Sequence, residues 1–598
     1  MDKYTVAQHS VGNVLNWVET GKIAIPEIQR PFVWSSTKVR DLIDSLYQGY
    51  PVGYLITWQN TAVRLKDGSL SGSKQILIDG QQRVTALTTA LAGGSIVTKD
   101  YKKTRMQIAF NPLTESFETY TPVLRNNPEW LPDIAAVMKP ENLFGLVREY
   151  LEKNPEADRS IVETNFSKLM NVRTRQVGII DLAENLDIET VTEIFVRINS
   201  SGARLTPADF AMSKIASYGE YGAQLRKFID YFSHLAVAPH FHEIIRENDP
   251  SFAETDYFSK ISWLKDDASD LYDPTYQDVL RVAGLIEFDR GRMVAMVSYL
   301  SGRDFETKKF DDAIAQESFE RLERALYRIT NRYRFTQFLM TLSSAGFISP
   351  SLITSRNAVN FAYALFLRLS DEGELSTPEI QRIVRRWFVM SMLLGRHSGS
   401  FETTWELDLR RLREMGAQAY LESIERSALS EAYWTEGLPL DLVTSSSRSP
   451  YFVVYLAAMV KRGARGFLSN HVGASDMLGD SGMGDIHHLF PKAYLQASGV
   501  NDRSDHNQIA NYVLAETPVN IRIGKLAPAE YGARVRAQIE TGTPDIGDIT
   551  TEEELLANFR SSGVPESLLG AVAADYPTFL IERRKQMAAL LRDYYFSL

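Results

Sequence analysis

Short apolar runs separated by turn residues predict a mixed α/β or α+β module between Tyr4 and about Phe110. The segments VGYLITW and KQILIDG have the length and β-branched character of strands. Between turns, VRDLIDSLYQ places apolar residues at helical spacing, with Ser35 to Thr37 as a cap and Gly49 as the stop signal. The second strand leads directly into a predicted helix, QQRVTALTTALA.

A different pattern follows further along the chain. QVGIIDL reads as one more strand, and Thr206, Pro207 and Asp209 supply the cap, the first-turn proline and the acidic third position of a helix start. From about 215 to 470, long amphipathic segments such as FERLERALYRITNRYRFTQFLMTL and EIQRIVRRWFVMSMLLG predict an all-α region. A Ser-rich stretch from Thr444 to Pro450 marks a boundary before a final mixed segment.

Composition places the chain among ordinary folded proteins. It has 598 residues, 44% hydrophobic and 23% charged, which is enough apolar material for two or three domains. No stretch approaches the roughly 18 to 20 uncharged apolar residues that a membrane span needs, and the start lacks the pattern of a secretory signal. We therefore expect a cytoplasmic protein with no membrane partner.

The residue inventory limits the possible chemistry. With 0 Cys, the chain excludes disulfides, zinc–thiolate sites and thiol catalysis, so any metal must be held by His, carboxylate, amide or water. A net charge of −10 argues against a protein that coats nucleic acid over its whole surface. The N-terminal module is nevertheless net positive, which makes it the better candidate to meet a polyanion, although ordinary scatter of surface charge explains this equally well.

The segment ILIDGQQRV predicts a phosphate site. A strand ends in Asp79 and Gly80, and Gln81, Gln82 and Arg83 open a helix whose first amide groups attract anions. Glycine permits close backbone approach, Arg83 can bind phosphate oxygens in a fork, Asp79 can bind a metal–phosphate complex, and either glutamine can orient water. A purely structural turn is the alternative interpretation.

The segment FVRIN adds polar groups in a strand-like pattern. Alternation places Phe195, Arg197 and Asn199 on one face of the strand. Two polar groups beside an aromatic residue suit the wall of a cleft, whereas a solvated sheet face is the alternative. Trp34, taken alone, reads as a core or interface aromatic residue.

Three motifs, IPEIQRPFVWS, DGQQR and EIFVRINSSGARLTPADF, occur in an order that resembles the N-terminal domain of GmrS/GmrD-type restriction proteins, a branch of the ParB/sulfiredoxin-like fold. The resemblance covers roughly residues 5–110 and 175–220. It implies an α/β domain over 1–220, with a helical insertion at about 111–175, that binds and hydrolyses GTP, ATP or UTP. The implied nucleotide-binding residues are Gln29, Arg30, Asp79, Gly80, Gln81, Gln82, Arg83, Arg197 and Asn199. The resemblance gives Asp79, Gln82 and Arg83 catalytic roles in that hydrolysis, and lets Gln29, Arg30 and Trp34 meet DNA.

Two adjacent histidines stand out near the C-terminus, in GDIHHLFPKAYL. Neighbouring side chains on an extended segment point in opposite directions, so His487 and His488 should have different roles. Downstream, Asn511 falls on a predicted short strand and Asn520 on a helix begun by Thr517 and Pro518. This order of elements and residues is that of an HNH, or ββα-metal, nuclease with Asn in the last position.

The C-terminal segment, roughly 475–590, also resembles the HNH domain that accompanies the N-terminal module in GmrSD-type fusions. This resemblance implies that His488 is the general base and that His487 and Asn520 together hold one divalent ion, Mg²⁺ or Mn²⁺. Asn511 is expected to fix the loop that aims His488 rather than to touch metal. Asp485 remains open as a metal ligand, a partner of a histidine, or a plain acid at the strand edge.

Together these features predict a multidomain α+β protein with an N-terminal domain at 1–220, a helical region at 221–450 and a nuclease domain at 451–598. GRHSGSFETTWELDL at 395–409 is either a phosphate contact through Arg396, Ser398 and Ser400 or a packing joint between helices. The predicted function is a type IV restriction endonuclease that cleaves modified double-stranded phage DNA, and the long apolar helices could support a homodimer. The alternatives are a ParB-like, nucleotide-switched DNA-binding protein with an inactive HNH region, and a nuclease toxin that does not discriminate.

Overall fold

The computed structural model describes residues 3–24, 34–59, 75–94, 96–97, 103–138, 143–183, 186, 190–191, 206–216, 218–267, 269–303, 311–479 and 484–598. The chain divides into two compact units, one of Met1–Lys265 with Val294–Glu320 and one of Asp266–Met293 with Arg321–Leu598. The protein is mostly helical, with a small mixed sheet near its N-terminus. This confirms the expectation of an α/β N-terminal part followed by a helical region.

The strands of the first unit are short. They are β1 (Tyr4–Ser10), β2 (Ile23–Ala24), β3 (Tyr54–Gln59), β4 (Gln75–Asp79), β5 (Ile96–Val97), β6 (Lys103–Thr104), β7 (Ile108–Asn111), β8 (Ser116–Thr119) and β9 (Gln176–Leu182). The helices up to residue 261 are α1 (Val11–Glu19), α2 (Ser36–Gln48), α3 (Gln81–Leu91), α4 (Pro122–Arg125), α5 (Leu143–Lys153), α6 (Arg159–Met170), α7 (Pro207–Ala216), α8 (Gly219–Val237), α9 (Phe241–Asn248), α10 (Pro250–Ala253) and α11 (Asp256–Ile261).

Five strands form one mixed sheet in the order β1-β9-β3-β4-β2. The β9–β3 and β4–β2 pairs are parallel, whereas β1–β9 and β3–β4 are antiparallel. Leu55, Leu77 and Ile179 lie in the buried core of this unit together with apolar residues of α1, α2 and α3. The core therefore fixes the end of β4 and the start of α3 against the same helices.

Local signals in the sequence determine where two helices of this unit begin or end, as predicted. The Ser35 side chain accepts a hydrogen bond from the Lys38 amide at 3.3 Å, and α2 ends at Gly49, whose φ is 80°. Thr206 and Asp209 bond each other reciprocally at the start of α7. Both arrangements satisfy amide groups that a helix leaves unpaired in its first turn.

The segment predicted as a helical insertion contains more than helices. It begins with a hairpin of β7 and β8, in which Phe110 and Phe117 pack against Tyr47 with ring centroids 5.5 and 5.2 Å away. The hydroxyl of Tyr47 donates to Glu115 at 2.8 Å. Because three aromatic rings are buried together, this hairpin is part of the core of the first unit, and α5 and α6 follow it.

The remaining helices are α12 (Tyr276–Ala283), α13 (Met293–Leu300), α14 (Asp312–Ile329), α15 (Arg332–Ser344), α16 (Arg356–Glu372), α17 (Thr377–Leu393), α18 (Phe401–Met415), α19 (Ala417–Ala428), α20 (Leu438–Asp441), α21 (Pro450–Lys461), α22 (Ala474–Leu478), α23 (Lys492–Ala497), α24 (Arg503–His506), α25 (Thr517–Ile523), α26 (Pro528–Thr541), α27 (Glu552–Ser562) and α28 (Tyr576–Ser597). Two further strands, β10 (Gly484–His488) and β11 (Tyr512–Glu516), pair with each other. The apolar segment around residue 330 is two helices, because Asn331 caps α15 by accepting a hydrogen bond from the Arg334 amide.

The patch at 395–409 forms a packing joint in the second unit. Arg396 donates through Nε to Asp408 at 3.1 Å and through Nη2 to the Tyr420 hydroxyl at 2.7 Å, and His397 Nε2 lies 3.1 Å from the same carboxylate. Asp408 and His397 are completely buried. Arg396 is therefore engaged inside the protein, which supports the packing interpretation over the phosphate contact.

The last helix, α28, connects two parts of the second unit. At its start, Tyr576 and Phe579 pack against Phe490, with ring centroids 5.0 Å apart in each case. At its end, the Tyr594 hydroxyl donates to the Ala345 carbonyl at 2.7 Å, and Arg385 donates to the carbonyl of Leu598 at 3.1 Å. Among the described residues, every helix is too short or too polar to cross a lipid bilayer.

Candidate functional site

The predicted phosphate loop of the first unit lies where β4 turns into α3. Gly80 has a φ of 90°, a left-handed conformation that favours glycine, and a Cβ atom there would displace Leu55 Cδ2, which would lie 2.3 Å away. The N-cap residue of α3 is Gly80 itself, which has no side chain to cap the first turn. The N-cap position of α3 therefore lacks the polar side chain that a helix start usually has there.

Arg83 is engaged with the protein itself. Its Nη1 donates to the carbonyls of Val52 at 3.1 Å and Tyr54 at 2.8 Å, and its Nη2 donates to Asp79 at 3.3 Å. Burial lowers the pKa of Arg83, and the Asp79 carboxylate acts in the opposite direction. The guanidinium thus ties the turn before β3 to the start of α3, and Asp79 is its ion partner.

The remaining predicted residues of this site differ in what the structure shows. Gln81 donates to the Leu77 carbonyl at 2.8 Å, which turns its amide back along the chain. Gln82 is half-buried. The other residues implied by the family resemblance lie outside the described part of the chain, so their nucleotide-binding roles stay predictions: Gln29, Arg30, Arg197 and Asn199.

The second candidate site is built on the hairpin of β10 and β11 and the helix α25 that follows it directly. The register pairs Asp485 with Ala515 and His487 with Val513. Asn520 lies at the end of the first turn of α25, inside the helix as the sequence predicted. Helix α25 contacts both strands. Asn511, predicted on a strand, instead ends a 3-10 turn over Ile509–Asn511, one residue before β11 begins.

Three predicted residues come together on one face of this hairpin. His487 Nδ1 lies 2.6 Å from Asn520 Oδ1, and Asn520 Nδ2 donates to Asp485 at 3.4 Å. Alternation along β10 explains why Asp485 and His487 share this face while Ile486 is exposed on the other. The strand and helix thus place an imidazole, an amide and a carboxylate together.

The imidazole of His487 suits a metal ligand. It is 3% exposed, and burial lowers its pKa to about 4, an effect that Asn520 opposes by hydrogen bonding. The ring is therefore neutral near pH 7, as a ligand must be, and an ion shared with Asn520 would be bound through Nδ1, the nitrogen that faces the Asn520 oxygen. Since no described group of three or more His, Asp or Glu could hold a metal, an ion here would take its remaining ligands from water and substrate.

His488 points to different partners. Its Nε2 lies 2.9 Å from Asn507 Oδ1, and its ring packs edge to face with Tyr512 at a centroid distance of 5.0 Å. Burial lowers its pKa, Asn507 raises it, and the neighbouring His506 and Lys492 lower it further. A neutral imidazole that is half-buried next to a metal-type site is suited to accept a proton.

Asn511 braces the loop after His488. Its Oδ1 accepts from the Phe490 amide at 2.8 Å, and its Nδ2 donates to the carbonyls of Phe490 and His506. The Tyr531 hydroxyl donates to the Leu489 carbonyl at 2.8 Å from another side. Asn511 is fully buried, and its side-chain hydrogen bonds go to the backbone of Phe490 and His506, so its position is that of a residue that holds the loop.

One polar contact of this site was absent from the sequence predictions. Asn507 contacts His488 from the short loop between helix α24 and the 3-10 turn that precedes β11. Because that loop has no helical or strand periodicity, the sequence alone does not indicate which of its polar residues turns inward.

Comparison with known proteins adds the following. Residues 11–216 match the family model described as GmrSD restriction endonuclease, N-terminal domain. An uncharacterised protein of Methanocaldococcus jannaschii, MJ0686, is 22% identical over 567 residues, which cover 88% of this chain and 86% of that protein. The likeness therefore extends well beyond residue 216.

Proposed function

Residues 11–216 belong to the GmrSD restriction endonuclease N-terminal domain family, and on this premise we propose that the chain is a metal-dependent type IV restriction endonuclease acting on modified DNA. DNA is the substrate that such a family implies. In the proposal, the first unit binds and hydrolyses a nucleoside triphosphate and senses modified DNA. The β10–β11–α25 segment is an HNH centre that cuts the phosphodiester backbone.

The observation that carries the proposal is the placement of His487, His488 and Asn520. A neutral buried imidazole lies 2.6 Å from an amide oxygen on a following helix, and the adjacent histidine points away from both. Two separate tasks, metal binding and proton transfer, require such a division between neighbouring residues.

The chemistry of cleavage follows from these groups. His488 takes the proton of the attacking water, and burial keeps its pKa below the usual histidine value, so the ring is ready to accept that proton near pH 7. His487 and Asn520, with Asp485 alongside, would hold the divalent ion. When bound, Mg²⁺ or Mn²⁺ offsets the negative charge that develops on the scissile phosphate and the leaving oxygen. Asn511 keeps the His488 loop in place during this step.

The nucleotide half of the proposal rests on the Asp79–Gly80 turn and on the family. The N-cap residue of α3 is a glycine, which lets an incoming phosphate approach the backbone amides closely. Since Arg83 is engaged with Val52, Tyr54 and Asp79, its part in the proposal is to hold the turn in the shape that presents those amides.

A cleavage assay tests the proposal. Unmodified plasmid and phage DNA carrying glucosylated hydroxymethylcytosine are incubated with the protein and Mg²⁺, with and without GTP, ATP or UTP. We expect preferential cutting of the modified DNA, and loss of about 10²- to 10⁴-fold in rate for His488→Ala with nucleotide hydrolysis retained. Equal cutting of both DNAs in every condition would refute modification sensing.

The same variant separates the alternative functions. A nucleotide-switched DNA-binding protein with an inactive HNH region would lose nothing when His488 is replaced. A nuclease toxin would cut unmodified DNA or RNA and be lethal on expression in cells that lack modified DNA, and the His488→Ala variant would remove that lethality.

A further inference from the structure

Asn507 has no role in the functions described so far, yet it makes the one hydrogen bond seen for the His488 ring among the described residues. The distance from His488 Nε2 to Asn507 Oδ1 is 2.9 Å. An amide oxygen only accepts hydrogen bonds, so Nε2 must carry the proton of the neutral ring. The other ring nitrogen, Nδ1, then keeps its lone pair.

The loop that carries Asn507 is itself held by hydrogen bonds from α28 and from Asn511. The Tyr576 hydroxyl donates to the Asp505 carbonyl at 2.8 Å, and Arg584 Nη2 donates to the Gln508 side chain at 2.8 Å. Asn511 Nδ2 donates to the His506 carbonyl at 3.2 Å. Every residue from 505 to 508 except Asn507 is therefore tied to another element, and Asn507 is left to face His488.

The ring of His488 is also restrained on its face. Tyr512 packs against it at an interplanar angle of 85°. An edge-to-face contact restricts rotation of the imidazole but selects neither nitrogen, whereas the hydrogen bond to Asn507 does.

Resting on the proposed nuclease function, we infer that Asn507 is a positioning residue that fixes the neutral tautomer of His488 and so makes Nδ1 the nitrogen that accepts the proton of water. Asn507 touches neither the water nor the phosphate in this role. Its loss should reduce turnover without weakening DNA binding, because the tautomer matters only when the proton moves.

Two variants at one position separate this role from a structural one. Asn507→Leu keeps the shape of the side chain and removes the acceptor, and Asn507→Asp restores an acceptor. We expect Asn507→Leu to lower kcat by about 10- to 100-fold, the usual effect of removing such an outer partner, with KM and Tm unchanged. Asn507→Asp should recover most of kcat. The exposed Asn501, six residues earlier, supplies the control, and Asn501→Leu should cleave at the wild-type rate.

A second measurement does not depend on cleavage. In protein with ¹⁵N-labelled histidine, two-bond ¹H–¹⁵N spectra distinguish the two tautomers, and His488→Ala identifies the signals of His488. We expect Nε2 protonated in the wild type and a mixture of tautomers in Asn507→Leu.

The two measurements separate the possible failures. Wild-type kcat in Asn507→Leu, equal losses in the leucine and aspartate variants, or a wild-type ring protonated at Nδ1 would each overturn the role of Asn507. A fixed tautomer in a protein that cuts no DNA, or one whose His488→Ala variant still cuts, would instead overturn the proposed nuclease function.

Discussion

The two candidate sites use their buried polar groups in opposite ways. At the end of β4, Arg83 and Asp79 bond each other and the backbone carbonyls of Val52 and Tyr54, which leaves the guanidinium occupied. On the β10–β11 hairpin, His487 and Asn520 bond each other, but a buried imidazole nitrogen still lacks a described partner. A polar cluster that satisfies itself stabilises a fold, whereas one with spare bonding capacity is prepared for a ligand.

The largest expected effect concerns the cluster of His487 and Asn520. Replacing Asn520 by Ala removes an oxygen donor next to His487 and should lower metal-dependent DNA cleavage by more than about 100-fold, since even outer partners of metal ligands are worth about 10- to 100-fold. Isothermal titration with Mn²⁺ should show weaker binding by the variant. Nucleotide hydrolysis provides the control. If nucleotide hydrolysis is lost as well, the two sites do not act independently.

Asn511 lies beside the cluster of His487 and Asn520, but its own side chain is already hydrogen-bonded to backbone groups. Asn511→Ala removes the hydrogen bonds to the Phe490 amide and to the carbonyls of Phe490 and His506, and each buried group left without a partner costs about 1–3 kcal/mol in unfolding free energy. Urea denaturation should show this loss in the second unit, and cleavage should fall with it. The exposed Asn501 gives the matched control, Asn501→Ala. A stable but inactive Asn511→Ala protein would place Asn511 in the chemistry instead.

Arg83 offers the corresponding test in the first unit. Arg83→Met removes the donors to Val52 and Tyr54 and leaves Asp79 unpaired, and we expect a loss of about 1–3 kcal/mol in unfolding free energy. Arg83→Lys should recover only part of it, because a single ammonium group cannot span all three acceptors. If Arg83→Met abolished nucleotide binding while the unfolding free energy stayed at the wild-type value, Arg83 would bind the ligand instead of stabilising the fold.

The smallest expected effect concerns a third buried cluster, Arg396, His397 and Asp408, whose ion pair is satisfied internally like that of Arg83, although Nδ1 of His397 lacks a described partner. Burial lowers the pKa of His397, and Asp408 opposes this. As pH falls below about 6.5, the unfolded chain takes up a proton before the folded one, so stability should fall until the folded pKa is reached. The slope is at most about 1.4 kcal/mol per pH unit. His397→Gln, which keeps a donor for Asp408, should flatten the dependence of Tm on pH below 6.5, and an unchanged slope would contradict this assignment.

Local sequence signals predicted where helices and strands lie better than they predicted contacts between residues distant in the sequence. The caps at Ser35 and Thr206 and the glycine stop at Gly49 depend on neighbours within a few residues, and the structure has them as expected. The meeting of His487 and Asn520 was also predictable, because a hairpin followed directly by a helix brings its strand face and first helical turns together.

Other features depend on partners far along the chain. Arg83 bonds carbonyls about thirty residues earlier, and nothing in DGQQR indicates that direction. Asn511 was placed on a strand, but its amide bonds Gln508 and closes a 3-10 turn first, which shifts the strand by one residue. Asn507 lies in a loop without periodicity, so only the fold could show that it faces His488.

The last helix, α28, has a mechanical consequence. It runs for 22 residues, about 33 Å, from Tyr576 beside the loop of Asn507 to the contacts of Tyr594 and Leu598 with Ala345 and Arg385. A rigid lever of that length turns a tilt of about one degree at one end into a displacement of about 0.6 Å at the other. Productive catalytic geometry tolerates about 0.5 Å. The loop of Asn507 and the contacts of Ala345 and Arg385 are therefore held by one continuous helix.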